Sequence, residues 1–110
     1  NVVQPAIPQV GIMQGIAGVS TGKGFQIPAT AKVVVGKSAQ RANFIIEDPH
    51  VSNVHCSIRY IPATGMYSVI DHSSNGTYVN GTRLVKENAM MLPAGTILVI
   101  ANENNKIKLG

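Results

Sequence analysis

Ser52, His55 and Asp71 supply the three residue types of a hydrolase triad and are the first residues in this chain to invite a chemical reading. Serine catalysis also needs a strained turn that exposes the hydroxyl and N–H groups aimed at an oxyanion. Neither signature surrounds Ser52, so the set reads as non-catalytic and no enzyme is expected. Gly22-Lys23 suggests the phosphate-binding loop of nucleotide hydrolases. That loop requires a glycine five residues before its second glycine and Ser or Thr after the lysine, where this chain has Ala17 and Gly24. A tight turn accounts for the pair. His50, His55 and His72 have neither the i, i+4 spacing of a helical metal site nor a cluster of Cys or carboxylates, so no metal and no cofactor is expected. Asn75-Gly76-Thr77 and Asn80-Gly81-Thr82 match the glycosylation sequon, but Asn and Gly tolerate positive φ and both read as turns.

What remains is a set of small polar groups: Gly36-Lys37, Ser52-Asn53-Val54-His55, Ser73-Ser74-Asn75-Gly76-Thr77 and Asn80-Gly81. They offer hydroxyls, amides, backbone N–H groups and one or two cations. A phosphate-like dianion is recognised by such a set, because it takes several converging donors and a counter-charge.

The elements that must position these groups are short. Apolar stretches over residues 10–19, 25–27, 32–35, 43–47, 56–61, 66–71, 78–79, 82–85, 96–101 and 106–109 are separated by turn residues. Residues 20–24 and Asn80-Gly81 read as hairpin turns. Residues 56–61 and 66–71 alternate about the turn 62–65, with Tyr67, Val69 and Asp71 on one face. About ten strands at this spacing predict an all-β sandwich, with one weak helical turn expected near residues 85–90. Residues 1–9 carry Pro5 and Pro8 and read as a linker, leaving 10–110 as a single domain.

Composition narrows the function classes. Apolar residues make up 45% and charged residues 13%, which excludes a disordered tail. A net charge of +4 favours anionic partners, yet aromatics are only 5% and no basic–aromatic stripe is present, so nucleic acid is not expected. No apolar run reaches the roughly 20 residues of a membrane span. The one cysteine, Cys56, cannot form an internal disulfide. With Asn1 in place of an initiator Met, the chain reads as a segment of a longer protein.

The order of the polar loops resembles the forkhead-associated (FHA) domain over residues 11–110. Val34-Val35-Gly36-Lys37 is similar to that family's Gly-Arg after a strand, and Val51-Ser52-Asn53-Val54-His55 to its Ser-x-x-His. The stretch from Asp71 through Ser73-Ser74-Asn75-Gly76-Thr77-Tyr78-Val79-Asn80-Gly81 is similar to its Asp…Ser-x-Asn-Gly-Thr-x-hydrophobic-Asn-Gly. The resemblance implies an FHA-like (SMAD/FHA) β-sandwich of about eleven strands, mostly antiparallel, that grips a phosphothreonine peptide with loops at one end.

It further implies that Ser52 and Asn53 meet the phosphate, Lys37 supplies charge, Ser74 sits beside the phosphate or threonine methyl, and Asn75 bonds the peptide backbone. His50 falls where such domains read a residue beyond the phosphothreonine. Gly36, His55, Gly76, Thr77, Asn80 and Gly81 are implied to be structural. Lys37 departs from the family's arginine, with Arg41 as a substitute in the same loop, and Gly95-Thr96 replaces a usual Gly-Asp. The function implied is a non-enzymatic phosphothreonine reader acting as a signalling adaptor, with a serine/threonine kinase in the same system and, by analogy, a cytoplasmic location. A phospho-independent assembly domain with a relaxed phosphate site is the alternative.

Overall fold

The computed structural model describes residues 9–29 and 31–110, so the expected linker at 1–9 lies outside it except for Gln9. Eleven strands follow in order: β1 (Gly11–Ala17), β2 (Gly24–Ile27), β3 (Val33–Gly36), β4 (Phe44–Ile45), β5 (Cys56–Ile61), β6 (Met66–Asp71), β7 (Thr77–Val79), β8 (Thr82–Arg83), β9 (Met90–Leu92), β10 (Ile97–Ile100) and β11 (Lys106–Leu109). They form two sheets, ordered β2-β1-β11-β10-β7-β8 and β4-β3-β5-β6-β9. The all-β sandwich is as expected, and of its strand pairs only β3–β4 is parallel.

Alternation fixes the registers. Cys56, Ile58 and Tyr60 of β5 turn inward, as do Tyr67, Val69 and Asp71 of β6, and the strands pair from Cys56↔Asp71 to Ile61↔Met66. A one-residue slip would expose all six inward side chains, so this register is strongly specified. Between the sheets, Met13, Ile27, Leu98, Ile100, Ile107 and Leu109 meet Val35, Ile46, Ile58 and Val69, all at 0% exposure. Each such side chain contributes about 1.5–3 kcal/mol by leaving water.

The β7–β8 turn is the one Asn-Gly demands. Asn80 and Gly81 have φ of 52° and 78°, both positive as a type I′ hairpin requires, and Tyr78 pairs with Arg83 across it. Alanine tolerates that region less well than asparagine. Asn80→Ala is therefore expected to lower stability by about 1 kcal/mol, read as a lower urea midpoint with an unchanged slope.

Two expectations need correction. The helical turn near residues 85–90 is absent; Glu87 has φ of 66°, which breaks a right-handed helix. Met90–Leu92 instead extends β6 as edge strand β9, with Val69↔Met90 and Tyr67↔Leu92. The other strands expected to run longer are cut short: β4 spans Phe44–Ile45 and β8 spans Thr82–Arg83.

These registers gather three loops at one end of the sandwich, where β3 and β6 finish and β5 begins. The opposite end is closed by the β5–β6 turn. There Gly11 lies so close to Tyr60 that a Cβ would stand 2.7 Å from that residue's own, and Tyr67 Oη accepts the Ile12 N–H at 2.9 Å.

Candidate functional site

At the loop end, β3 runs directly against the chain entering β5. The His55 N–H donates to Val35 O (2.8 Å), the Lys37 N–H to Ser52 O (2.9 Å) and the Ser38 N–H to Asn53 O (3.4 Å). This approach needs glycine at 36, because a Cβ there would collide with the Asn53 carbonyl and stand 3.1 Å from Ser52 O. The backbone carrying Ser52 and Asn53 is thereby held to the backbone carrying Lys37.

His55 ties this pair of loops to the third. It is fully buried; its Nδ1 accepts the Ser52 N–H at 3.1 Å and its Nε2 donates to Gly76 O at 2.8 Å. That pattern requires the neutral Nε2–H tautomer. Burial holds the imidazole below its ordinary pKa, with Arg83 adding to the effect against the opposing pulls of Gly76 O and the Asp71 carboxylate.

Asp71, also fully buried, organises the β6–β7 loop from within. Its Oδ1 accepts from the Ser73 N–H (3.1 Å), Ser73 Oγ (2.6 Å) and Thr77 Oγ1 (2.9 Å), while Ser73 Oγ accepts the Gly76 N–H at 2.8 Å. Cys56 pairs with Asp71 across β5–β6. Burial first, and that carboxylate second, push its thiol up to about 12, so it is not a nucleophile.

On this framework the exposed groups converge. The Ser74 N–H donates to Ser52 Oγ at 3.2 Å, and Asn75 Nδ2 donates to His50 O at 2.7 Å. The Ser52 hydroxyl proton thus remains available to a ligand. His50 is set by Asp48, whose Oδ1 accepts its N–H at 2.8 Å and lies 3.2 Å from its Nδ1. Asp48 is itself anchored by buried Asn105, whose Nδ2 donates to Oδ2 at 3.0 Å; that bond leads the causes holding the Asp48 carboxyl below its ordinary pKa.

Direct hydrogen bonds therefore join Ser52 to Ser74 and Asn75 to His50, the two pairs meeting at the adjacent residues Ser74 and Asn75, and Asn53 and Lys37 are joined to Ser52 through the backbone. Arg41 is not. Its N–H closes a turn onto Ser38 O (3.3 Å), while its exposed guanidinium, like the Lys37 ammonium, forms no ion pair among the described residues.

Sequence reasoning missed two residues that hold the β6–β7 loop from outside. Tyr78 Oη donates to Asn75 O at 3.1 Å, and Arg83 Nη2 donates to Ser74 O at 3.2 Å. Asp48 and Asn105 were missed as well. No motif marks them, since all four act on backbone or on residues far away in sequence.

Ser52, His55 and Asp71, which supply the residue types of a triad, are not wired as one. Ser52 meets His55 through its N–H and not its hydroxyl, and Asp71 serves Ser73 and Thr77. A serine–histidine–acid chain does occur elsewhere: Ser57 Oγ lies 3.0 Å from His72 Nε2, and His72 Nδ1 lies 3.0 and 3.1 Å from the Glu87 carboxylate. Ser57 is only 4% exposed within β5, so this chain serves to tie β5 to the loop before β9. Among the described residues no group of three His, Cys, Asp or Glu is placed to hold a metal, and no helix is long and apolar enough to cross a membrane.

Known proteins share this fold. The chain is 27% identical, over 99 residues, to the meiosis-specific serine/threonine-protein kinase MEK1 of Saccharomyces cerevisiae; the match covers 84% of this chain but 20% of that protein. The crystal structure of the MEK1 FHA domain in complex with a HOP1 phosphothreonine peptide superposes with a TM-score of 0.76 at 21% identity, covering 96% of both chains. The solution structure of the FHA domain of an Arabidopsis thaliana hypothetical protein gives a TM-score of 0.81 at 21% identity, covering all of this chain and 92% of that one. Residues 33–101, which hold every loop of the site, match the FHA domain family. By that match the chain belongs to the FHA domain family.

Proposed function

We propose that this chain reads phosphothreonine peptides and serves as a non-enzymatic adaptor module in cytoplasmic signalling alongside a serine/threonine kinase. The observation that carries the reading is the junction at Ser52. A hydroxyl with a free proton, braced by Ser74, stands in one exposed cluster with the Asn53 amide and, through the backbone, with an unpaired lysine. A dianion needs such converging donors and a counter-charge. The MEK1 FHA domain, solved with a phosphothreonine peptide, shares the fold. In this reading Ser52, Asn53 and Lys37 receive the phosphate, Ser74 borders the threonine methyl, Asn75 meets the peptide backbone, and His50 contacts a residue further along.

Titration with matched phosphothreonine, phosphoserine and unphosphorylated peptides tests it. Phosphothreonine is expected to bind about fourfold or more tightly than phosphoserine, since one buried methyl contributes about 0.8 kcal/mol. Equal binding of phosphorylated and unphosphorylated peptides would establish the phospho-independent assembly role instead.

Lys37 sharpens the test, because an ammonium lacks the two-pronged geometry of a guanidinium. Lys37→Arg is expected to tighten phosphopeptide binding roughly tenfold, and Lys37→Ala to weaken it with a shallower salt dependence. If Arg41 already provides the fork, Arg41→Ala becomes the damaging change and Lys37→Arg is nearly silent.

A further inference from the structure

Arg83, at the edge of the β6–β7 loop, forms no ion pair among the described residues. It lies on β8, exposed, two residues beyond Gly81. Its guanidinium is drawn across the loop: Nη2 donates to Ser74 O at 3.2 Å, and a Cβ on Gly76 would stand 2.9 Å from its Nε and 2.9 Å from the Tyr78 ring. Glycine at 76, where φ is 97°, thus leaves the space in which the guanidinium rests. Of the five N–H donors of an arginine, one is used; among the described residues the others meet no acceptor.

The carboxylates that border the site loops are engaged elsewhere. Asp48 is held by His50 and Asn105, Glu87 by His72, and Asp71 is buried within the loop. Ser74 therefore lies between two groups able to receive anions: its N–H bonds Ser52, and its carbonyl bonds Arg83.

We infer that Arg83 is a second anion receptor, selecting peptides that carry a carboxylate or a second phosphate close to the phosphothreonine. The inference rests on the phosphothreonine reading of the Ser52 site. Guanidinium suits either ligand, because both accept a pair of parallel N–H bonds. The contact forms after the phosphothreonine has docked, so it is intramolecular and needs no large intrinsic affinity.

The test uses the whole chain and a set of phosphothreonine peptides: one with neutral flanks, a series with a single Asp walked through each flanking position, and a parallel series with a phosphoserine. Each is titrated against the unaltered chain, Arg83→Gln and Arg83→Lys. Because Arg83 also braces Ser74, the readout is the ratio of acidic to neutral-flank affinity within each variant. One position, or two adjacent ones, is expected to gain about three- to fivefold with Asp and about tenfold or more with phosphoserine. Arg83→Gln should bring that ratio to about one, and Arg83→Lys should keep part of it. A gain that survives in Arg83→Gln overturns the assignment, as does the absence of any gaining position. Failure of the neutral-flank phosphothreonine peptide to bind the unaltered chain overturns the Ser52 site itself, and this inference with it.

Discussion

His55→Ala is expected to lower the unfolding free energy by about 2–4 kcal/mol, from one buried and one part-buried hydrogen bond lost and a cavity left behind. The Ser52 N–H and the Gly76 carbonyl both lose their imidazole partner. The carbonyl keeps the Ala101 N–H at 2.9 Å, which places the loss within that range instead of above it. For a domain of this size the loss is a large share of total stability. Urea unfolding measures it; a midpoint equal to that of the unaltered chain would remove His55 from the framework and point to a direct ligand role instead.

The same residue sets an acid limit. Burial lowers the His55 pKa in the folded state, so the unfolded chain takes up its proton first as pH falls below about 6.5. In that window the unfolded state binds more protons, and stability declines by at most about 1.4 kcal/mol per pH unit from this group. Above the window His55 is neutral in both states and contributes no slope. His55→Ala should therefore be less stable at pH 7.5 yet lose less on acidification to pH 5.5.

Ser52→Ala is expected to do the reverse: to leave the fold intact and to weaken phosphopeptide binding about 10- to 100-fold. The hydroxyl is half-buried and, among the described residues, its one bond is to the Ser74 N–H, on an exposed residue that water can satisfy. Stability should fall by less than about 0.5 kcal/mol. A donor lost from a phosphate dianion costs about 1.5–3 kcal/mol, which sets the expected loss of affinity. Calorimetric titration paired with a thermal melt separates the two effects. Unchanged affinity would show that the phosphate is not received at the β4–β5 loop.

Strands long enough to alternate were legible before any coordinates. Residues 56–61 and 66–71 show their inward faces directly, and Asn80-Gly81 specifies its own turn. β9 was not legible because three residues cannot display a period of two, and its Met90 and Met91 are both exposed. The loop residues could be read because their order resembles a known family, whereas the residues that brace them could not. Arg83 and Tyr78 act on carbonyls, which every residue has, so no side-chain pairing marks them in the sequence. Asp48 and Asn105 meet across 57 positions, a separation that only the closed sandwich brings together. Triad residue types alone were uninformative for a related reason: they specify which bonds are possible, and the strand registers decided that His72, not His55, would face a serine hydroxyl.

The pairing of β1 with β11 has a mechanical consequence. Gly11 and Gly110 lie side by side, the Gly110 N–H donating to Ile12 O at 2.7 Å. They do so near Tyr60 and Tyr67, at the end of the sandwich away from Ser52 and Ser74. A pull applied at these two residues would peel β1 from β11 one hydrogen-bonded pair at a time, the low-force geometry of a zipper, where loading along opposed strand ends would shear every pair at once. Anchored at that end, the domain would turn its three polar loops outward and would open pair by pair under tension.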